Sequence, residues 1–271
     1  MKIILSRKGF DSKNGGIPSP IFEDGTMLSF PIPCDTDKTM YDDLEYKGKS
    51  YKNILNDLHF KKGIKYCHCD PDLDTEKYKK TPVGWEPAFG QWNSATSYLL
   101  NTVQVQIGDI FLFFGNFHHV EQRDGKYSYI HDTGYFYKDN DLQVIWGYLQ
   151  VGKIIIAPED QKKLYWHPHS YPPRLSDSTN VIFKSTPFLS FDNKRKGAGL
   201  LSYDVKRVLT LEGASKATWK KNVVYDTNHI IGHRKNCAKD PNMGIYYPGI
   251  WQELGLIEFQ QSLDWAKYII I

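Results

Sequence analysis

The run Tyr66-Cys67-His68-Cys69-Asp70-Pro71-Asp72-Leu73-Asp74 is the densest grouping of chemically able side chains in the sequence. If Lys65 to Cys69 ends a strand, side chains alternate across it: His68 faces one side, Cys67 and Cys69 the other, and the turn set by Pro71 places Asp70 beside His68. A histidine held next to a carboxylate can orient its imidazole for proton transfer or bind a divalent cation. The plainer reading is that Asp70 and Asp72 cap the turn and a following helix. A zinc site through Cys67 and Cys69 has too narrow a spacing and lacks a second ligand pair.

Other stretches carry weaker versions of the same signal. Trp166-His167-Pro168-His169 puts two imidazoles two residues apart, so an extended backbone aims both the same way, toward a shared metal or phosphate; histidines beside prolines are also common in surface loops. The loop from Arg7 to Ile21, with Asp11, Ser12, Gly15, Gly16 and Ser19, could wrap backbone N–H groups around an anion, or be a long ordered connection. It is no Gly-Lys-Ser/Thr phosphate loop, because Ile17-Pro18 follows Gly16. Gln91 opens what reads as a helix ending near Asn101, whose positive end favours an anionic group, though plain capping is the simpler account. Lys194-Arg195-Lys196 beside Gly197 could meet phosphate or be solvated. His229, His233 and Cys237 are four apart, but Gly232 and the surrounding Asn and Lys residues favour a loop there.

These residues need a scaffold, and Val103 to Ile156 supplies it. Ile110 to Phe114 and Val144 to Val151 are apolar segments of strand length bounded by Gly or Asp-Gly, as in strands covered on both faces. Asp124-Gly125 is the strongest hairpin signal in the chain, and Gly115 and Gly147 mark bulges or close approaches. Phe111, Phe113, Leu142, Ile145 and Tyr148 are expected in the core. Further strands are expected over Lys2 to Ser6, Asn180 to Lys184 and Leu200 to Leu211, a hairpin at Asp24-Gly25, and amphipathic helices over Tyr51 to His59 and Ser262 to Ile270. Together they read as α+β, with a mainly antiparallel, strongly curved, barrel-like sheet and a few peripheral helices. Regular alternation of strands and helices, the mark of a doubly wound fold, is missing.

The chain has 271 residues, 41% of them hydrophobic and 14% aromatic, which is ample for a core and excludes a disordered chain. No repeat or long linker divides it, so residues 1–271 read as a single domain. A net charge of +3 does not by itself call for nucleic acid. No run approaches the roughly 18 apolar residues of a membrane span, the N-terminal apolar stretch is too short for a signal peptide, and the four cysteines show no disulfide framework; a cytoplasmic protein is expected.

The segments IILSRKGFDSKNGGIPSPI, HCDPDLD, FGQWNSATSYLLNTVQVQIGDIFLFFGNF, VIWGYLQVGKI, HPH and GAG, in this order from Lys2 to about Tyr203, resemble the third type of nucleotide modification associated domain. Gly255-Leu256-Ile257-Glu258-Phe259 follows the Gly-Gln-Glu-Phe ending of that family only loosely. The resemblance implies a nucleotide context, since the family takes its name from suspected nucleotide or base modification in bacteria and phages; it implies no reaction and no cofactor. It directs attention to Arg7, His68, Asp70, Asp72, His167 and His169 as the reactive group, with Asp11, Ser12, Gly15, Gly16, Ser19 and Gln91 around the substrate. The expected function is an enzyme acting on a nucleotide or nucleobase, with nucleotide or nucleic acid as partner and no membrane. The rival is a non-catalytic module that stacks a modified or flipped base on Tyr127, Tyr129, Trp146 and Trp166 and uses Lys194 to Lys196 on the backbone.

Overall fold

The computed structural model describes residues 1–61, 63, 65–232, 244–247 and 251–271. Ile3 to Leu5, fully buried, form the heart of the strand Ile3–Arg7, which is sandwiched between Glu253–Leu256 on one side and the 14-residue strand Ile110–Arg123 on the other. Next come Leu142–Ile155, Val181–Ser185 and Ala88–Gln91. Ser19–Ile21 and Lys126–Tyr129 pair with the distal half of Ile110–Arg123, and Ala198–Leu200 with Leu142–Ile155, completing a nine-stranded sheet.

This sheet is mixed and open, which corrects the expectation of a mainly antiparallel, strongly curved, barrel-like one. Ile3–Arg7 and Ser19–Ile21 both run parallel to Ile110–Arg123, and the strand order ends on Glu253–Leu256 and Ala88–Gln91 instead of closing. Parallel neighbours need a crossover of a dozen residues or more, and residues 8–109 provide one. The unbroken apolar run Ile3-Ile4-Leu5 suits a strand covered on both faces. Gly115 and Gly147, expected at bulges or close approaches, stand at such places. A Cβ on Gly115 would stand 2.6 Å from the Lys8 carbonyl, and Gly147 sits at a register shift with Leu73 Cδ1 2.7 Å from its Cβ position.

Five α-helices occur among the described residues: Tyr51–Asp57, Asn93–Ser97, Phe136–Asp139, Pro158–Gln161 and Gln260–Ile270. The first is capped by Ser50, whose hydroxyl accepts the Asn53 N–H at 3.2 Å. The helix expected to open at Gly90-Gln91 begins later, at Asn93, and continues as a π-helical turn over Tyr98–Val103; Ala88–Gln91 is a strand, in register with Val181–Lys184. Gln91 therefore sits at a strand end, not in a helix's first turn. Of the stretch Leu200 to Leu211 only the start belongs to a strand, and Val205–Arg207 forms a 3-10 turn capped by Asp204. The Asp124-Gly125 hairpin forms, with both residues at positive φ.

Phe111, Phe113, Leu142, Ile145 and Tyr148 are buried in the main core, where the Phe89 ring meets those of Phe111 and Phe113 at 4.9 and 5.1 Å. A second cluster gathers Phe10, Phe30, Tyr41, Cys67 and the apolar face of Tyr51–Asp57, and so anchors the first loop and the His68 segment. No described helix is long and apolar enough to cross a membrane.

Candidate functional site

Three chain segments meet at the end of Ile3–Arg7. The strand delivers Arg7 and Lys8, and the Lys8 N–H donates to the Phe114 carbonyl at 2.8 Å. The following loop closes on itself: Asp11 Oδ1 accepts the N–H groups of Lys13 (2.8 Å) and Asn14 (2.6 Å). Gly15 has φ +97° and lies where a Cβ would come within 2.2 Å of the Phe10 ring, so only glycine lets that ring seat in the second core. Cys67–His68 pairs antiparallel with Ile32–Pro33, and Ala88–Gln91 brings Gln91 and Trp92 to the same place. Between them is a cavity of about 300 Å³ lined by Arg7, Lys8, Asp11, Asn14, His68, Asp70, Gln91, Trp92, His169 and Gln252, among others.

At its floor, His68, Asp70 and His169 each place a ligand-type atom within 4.8 Å of the others, a set able to hold a metal ion. Each is held from behind. His68 Nδ1 is 2.7 Å from Asp37 Oδ2, and Arg174 grips the same carboxylate with Nη1 on Oδ1 (2.5 Å) and Nη2 on Oδ2 (3.2 Å). His169 Nδ1 is 2.6 Å from Asn180 Oδ1, while the Asn180 amide donates to Gln161 Oε1 and to the His169 carbonyl, both at 2.8 Å. Asp70 Oδ1 accepts the Gly90 N–H at 2.6 Å. His167, fully buried, accepts the His169 N–H on Nδ1 and brings Nε2 to 3.2 Å from Asp70 Oδ1, close but poorly aligned for a hydrogen bond. His68 Nε2 stands 3.8 Å from Asp70 Oδ2.

Burial sets the charge states. It lowers the His68 pKa, with Asp37 and Asp70 opposing, and pushes His169 well below the usual imidazole value despite Asp70, so both rings are neutral at pH 7. For Asp70, burial alone would favour the neutral acid, but the contacts with His167, His169 and His68 outweigh it and keep the carboxyl below the usual range. Asp37 is likewise held low against burial by His68 and Arg174. The floor is thus two neutral imidazoles and an anionic carboxylate.

Arg7, Asp11, His68, Asp70, Gln91 and His169 share the cavity, with His167 directly behind. Ser12, Gly15, Gly16 and Ser19 lie outside its lining: Ser12 and Gly16 are exposed, and Ser19 Oγ accepts the buried Phe30 N–H at 3.1 Å. Asp72 is also outside, buried against Lys77 Nζ and the Tyr78 hydroxyl, each at 2.6 Å. Of the expected stacking residues, Trp146 is packed in the main core and Tyr127 and Tyr129 lie against the second; none of the three, nor Trp166, lines the cavity. Lys194 to Lys196 belong to the two-stranded sheet formed with Phe188–Leu189. His229 pairs with Asp226 at 2.7 Å, and His233 and Cys237 lie outside the described residues.

Lys8, Asp37, Trp92, Arg174 and Asn180 also belong to the site or its support, with no motif in the sequence to mark them. Asp37 and Arg174 are isolated in polar loops with no pattern around them; Asn180 was visible only as a strand's first residue.

The sequence matches the nucleotide modification associated domain 3 family over residues 2–243. The chain belongs to this family. No curated protein and no solved structure matches it. Within this family domain, every residue named on the cavity floor lies inside the matched region, whereas Gln252 and Glu253 come from beyond it. Gln91 Nε2 donates to Glu253 Oε1 at 2.7 Å and to Gln252 Oε1 at 3.2 Å, so one wall of the cavity is fixed by the strand Glu253–Leu256. Gly90 is a sharp test of this arrangement, since an added Cβ would fall 2.3 Å from His169 Cδ2. Gly90→Ala is expected to displace the His169 ring and cost about 1–3 kcal/mol in overpacking, checked by urea denaturation and by the His169 resonances in an NMR spectrum.

Proposed function

We propose that this nucleotide modification associated domain is an enzyme that modifies a nucleotide or a nucleic-acid base, with the reaction occurring at the His68–Asp70–His169 end of the cavity. The observation that carries the reading is the convergence in one polar cavity of two cations, a half-buried indole and that reactive group. Arg7 is a planar, always-charged donor suited to a phosphate, with Lys8 beside it. The Trp92 ring, with the Arg174 guanidinium 5.6 Å from its centroid, offers a face for a base. A volume of about 300 Å³ is at the small end of ligand pockets and suits one nucleotide unit. Family membership supports the nucleotide context.

Thermal-shift and calorimetric screening of mononucleotides and short single-stranded DNA and RNA tests this. Binding by at least one is expected, weakened about tenfold or more by Arg7→Ala through loss of a charge-assisted bond. Trp92→Ala is expected to weaken it further, by about 1–3 kcal/mol per stacked base. Turnover of the bound compound should cease in His169→Gln. Binding unaffected by both Arg7→Ala and Trp92→Ala would place the nucleotide elsewhere, and binding without any turnover would favour a reader of modified bases.

A further inference from the structure

In rings that burial keeps neutral, the hydrogen bonds assign the protons on the cavity floor. Gln161 Nε2 donates to the carbonyls of Ile155, Ile156 and Asn180, so Gln161 Oε1 is an acceptor; Asn180 Nδ2 donates to it and to the His169 carbonyl. That fixes the Asn180 amide, leaving Oδ1 to accept, so His169 must carry its proton on Nδ1 and present a bare Nε2. His68 obeys the same logic: its Nδ1 faces a carboxylate already gripped by Arg174, which can only accept, so Nε2 is bare here too. One ligand-type atom from each of His68, Asp70 and His169 lies within 4.8 Å of the other two, His68 Nε2 standing 3.8 Å from Asp70 Oδ2, and the ring nitrogens not engaged by Asp37 and Asn180 are the ones without a proton. The Gly90 N–H and the His167 ring both approach Asp70 at Oδ1, on its far side, so the three facing acceptors have no donor between them and repel each other, a conflict that a cation between them removes.

We infer that His68, Asp70 and His169 bind one divalent first-row transition ion of the Zn²⁺ or Fe²⁺ type. Two imidazoles with one carboxylate suit such an ion, whereas Mg²⁺ and Ca²⁺ prefer oxygen ligands throughout. Three protein ligands on one side leave coordination positions open toward the cavity, the arrangement of metal sites that handle a substrate or an activated water. Asp37 and Asn180, each accepting the outer N–H of a ligand imidazole, are the supports such histidines usually have. His167, behind Asp70, is a positioning residue for the carboxylate. The inference goes beyond the reading of the cavity as a nucleotide site and is independent of it, because it rests on the ligand set and is measured without any nucleotide.

Full-length protein, stripped with a chelator, would be titrated with Zn²⁺, Co²⁺ and Mg²⁺, and with Fe²⁺ under anaerobic conditions, following metal content by mass spectrometry and the Co²⁺ complex by its visible absorption. One equivalent of Zn²⁺ or Co²⁺ per chain is expected, with Mg²⁺ much weaker. His169→Gln and Asp70→Asn, shown folded by circular dichroism, are expected to lose stoichiometric binding and the cobalt spectrum. Asn180→Ala, which touches no metal, is expected to weaken binding by about 10- to 100-fold and to shift that spectrum. His229→Ala, on the separate Asp226 pair, should change nothing. Absence of Zn²⁺ and Co²⁺ binding by the unaltered chain would overturn the assignment, as would preference for Mg²⁺ or full-strength binding in the folded ligand variants.

Discussion

Asp37→Ala is expected to lower the free energy of unfolding by about 3–5 kcal/mol, because it strands a buried guanidinium. The Asp37 side chain is fully buried and that of Arg174 nearly so, and the carboxylate satisfies both Arg174 and His68. What remains for Arg174 is the Pro168 carbonyl at 3.2 Å, Cys34 Sγ at 3.3 Å and the Trp92 ring at 5.6 Å, none of which replaces the bidentate carboxylate. Asp37→Asn keeps the shape and one acceptor and should fall between the two. Urea denaturation of the three proteins at pH 7 measures it. A loss below about 1 kcal/mol, the level of an exposed pair, would mean that the guanidinium escapes to water. A second consequence is local: without Asp37 the His68 ring loses the partner that fixes its tautomer, so the cavity should lose function even at temperatures where the variant stays folded.

Acid should destabilise the protein well above the range in which carboxylates titrate. His68 and His169 have folded-state pKa values below the ordinary 6.5, because burial disfavours their charged forms. As pH falls through 6.5 the unfolded chain takes up protons that the folded chain refuses, so stability present above that pH drains away until the folded pKa values are reached. Each histidine contributes a slope of up to about 1.4 kcal/mol per pH unit in that window. Asp70 and Asp37, held low in the folded state, add a second loss that starts only near pH 3.8 and below. Denaturation midpoints between pH 8 and pH 5 should therefore decline, and His169→Gln should flatten the decline. An unchanged midpoint over that range would be inconsistent with neutral buried imidazoles.

What could be read in the sequence was whatever local pattern dictates. The long central strands, the Asp124-Gly125 hairpin, the Tyr51 helix and the closing helix all follow from periodicity and turn chemistry, which act within a few residues. Strand direction was not legible, because Ile3-Ile4-Leu5 looks the same whether its neighbour runs parallel or antiparallel; the choice is made by a crossover of about a hundred residues whose path no local signal encodes. The grouping of His68 with Asp70 was visible because only Cys69 separates the two in sequence. Its union with His169 was suggested only by residue type, and the division of labour between His167 and His169 lies in a hydrogen bond to Asn180 and a close contact with Asp70 that spacing cannot reveal. Asp37 and Arg174 were invisible for the same reason: each is an ordinary loop charge until the other arrives.

The position of Ile3–Arg7 also governs how the chain reaches this structure. Its neighbours are Ile110–Phe114 on one side and Glu253–Leu256 on the other, so this strand cannot be enclosed until a segment far later in the sequence has been made. Contacts this distant in sequence must meet the entropy of closing very large loops before they return any energy, which makes for slow folding. Meanwhile Ile3, Ile4 and Leu5 present an apolar strand with open edges, the kind of segment that pairs with other chains when left uncovered. The cavity is assembled at the end of this same strand, with Gln91 tied to Glu253. A nascent or partly unfolded chain therefore has no finished cavity, which is complete only once Glu253–Leu256 has docked.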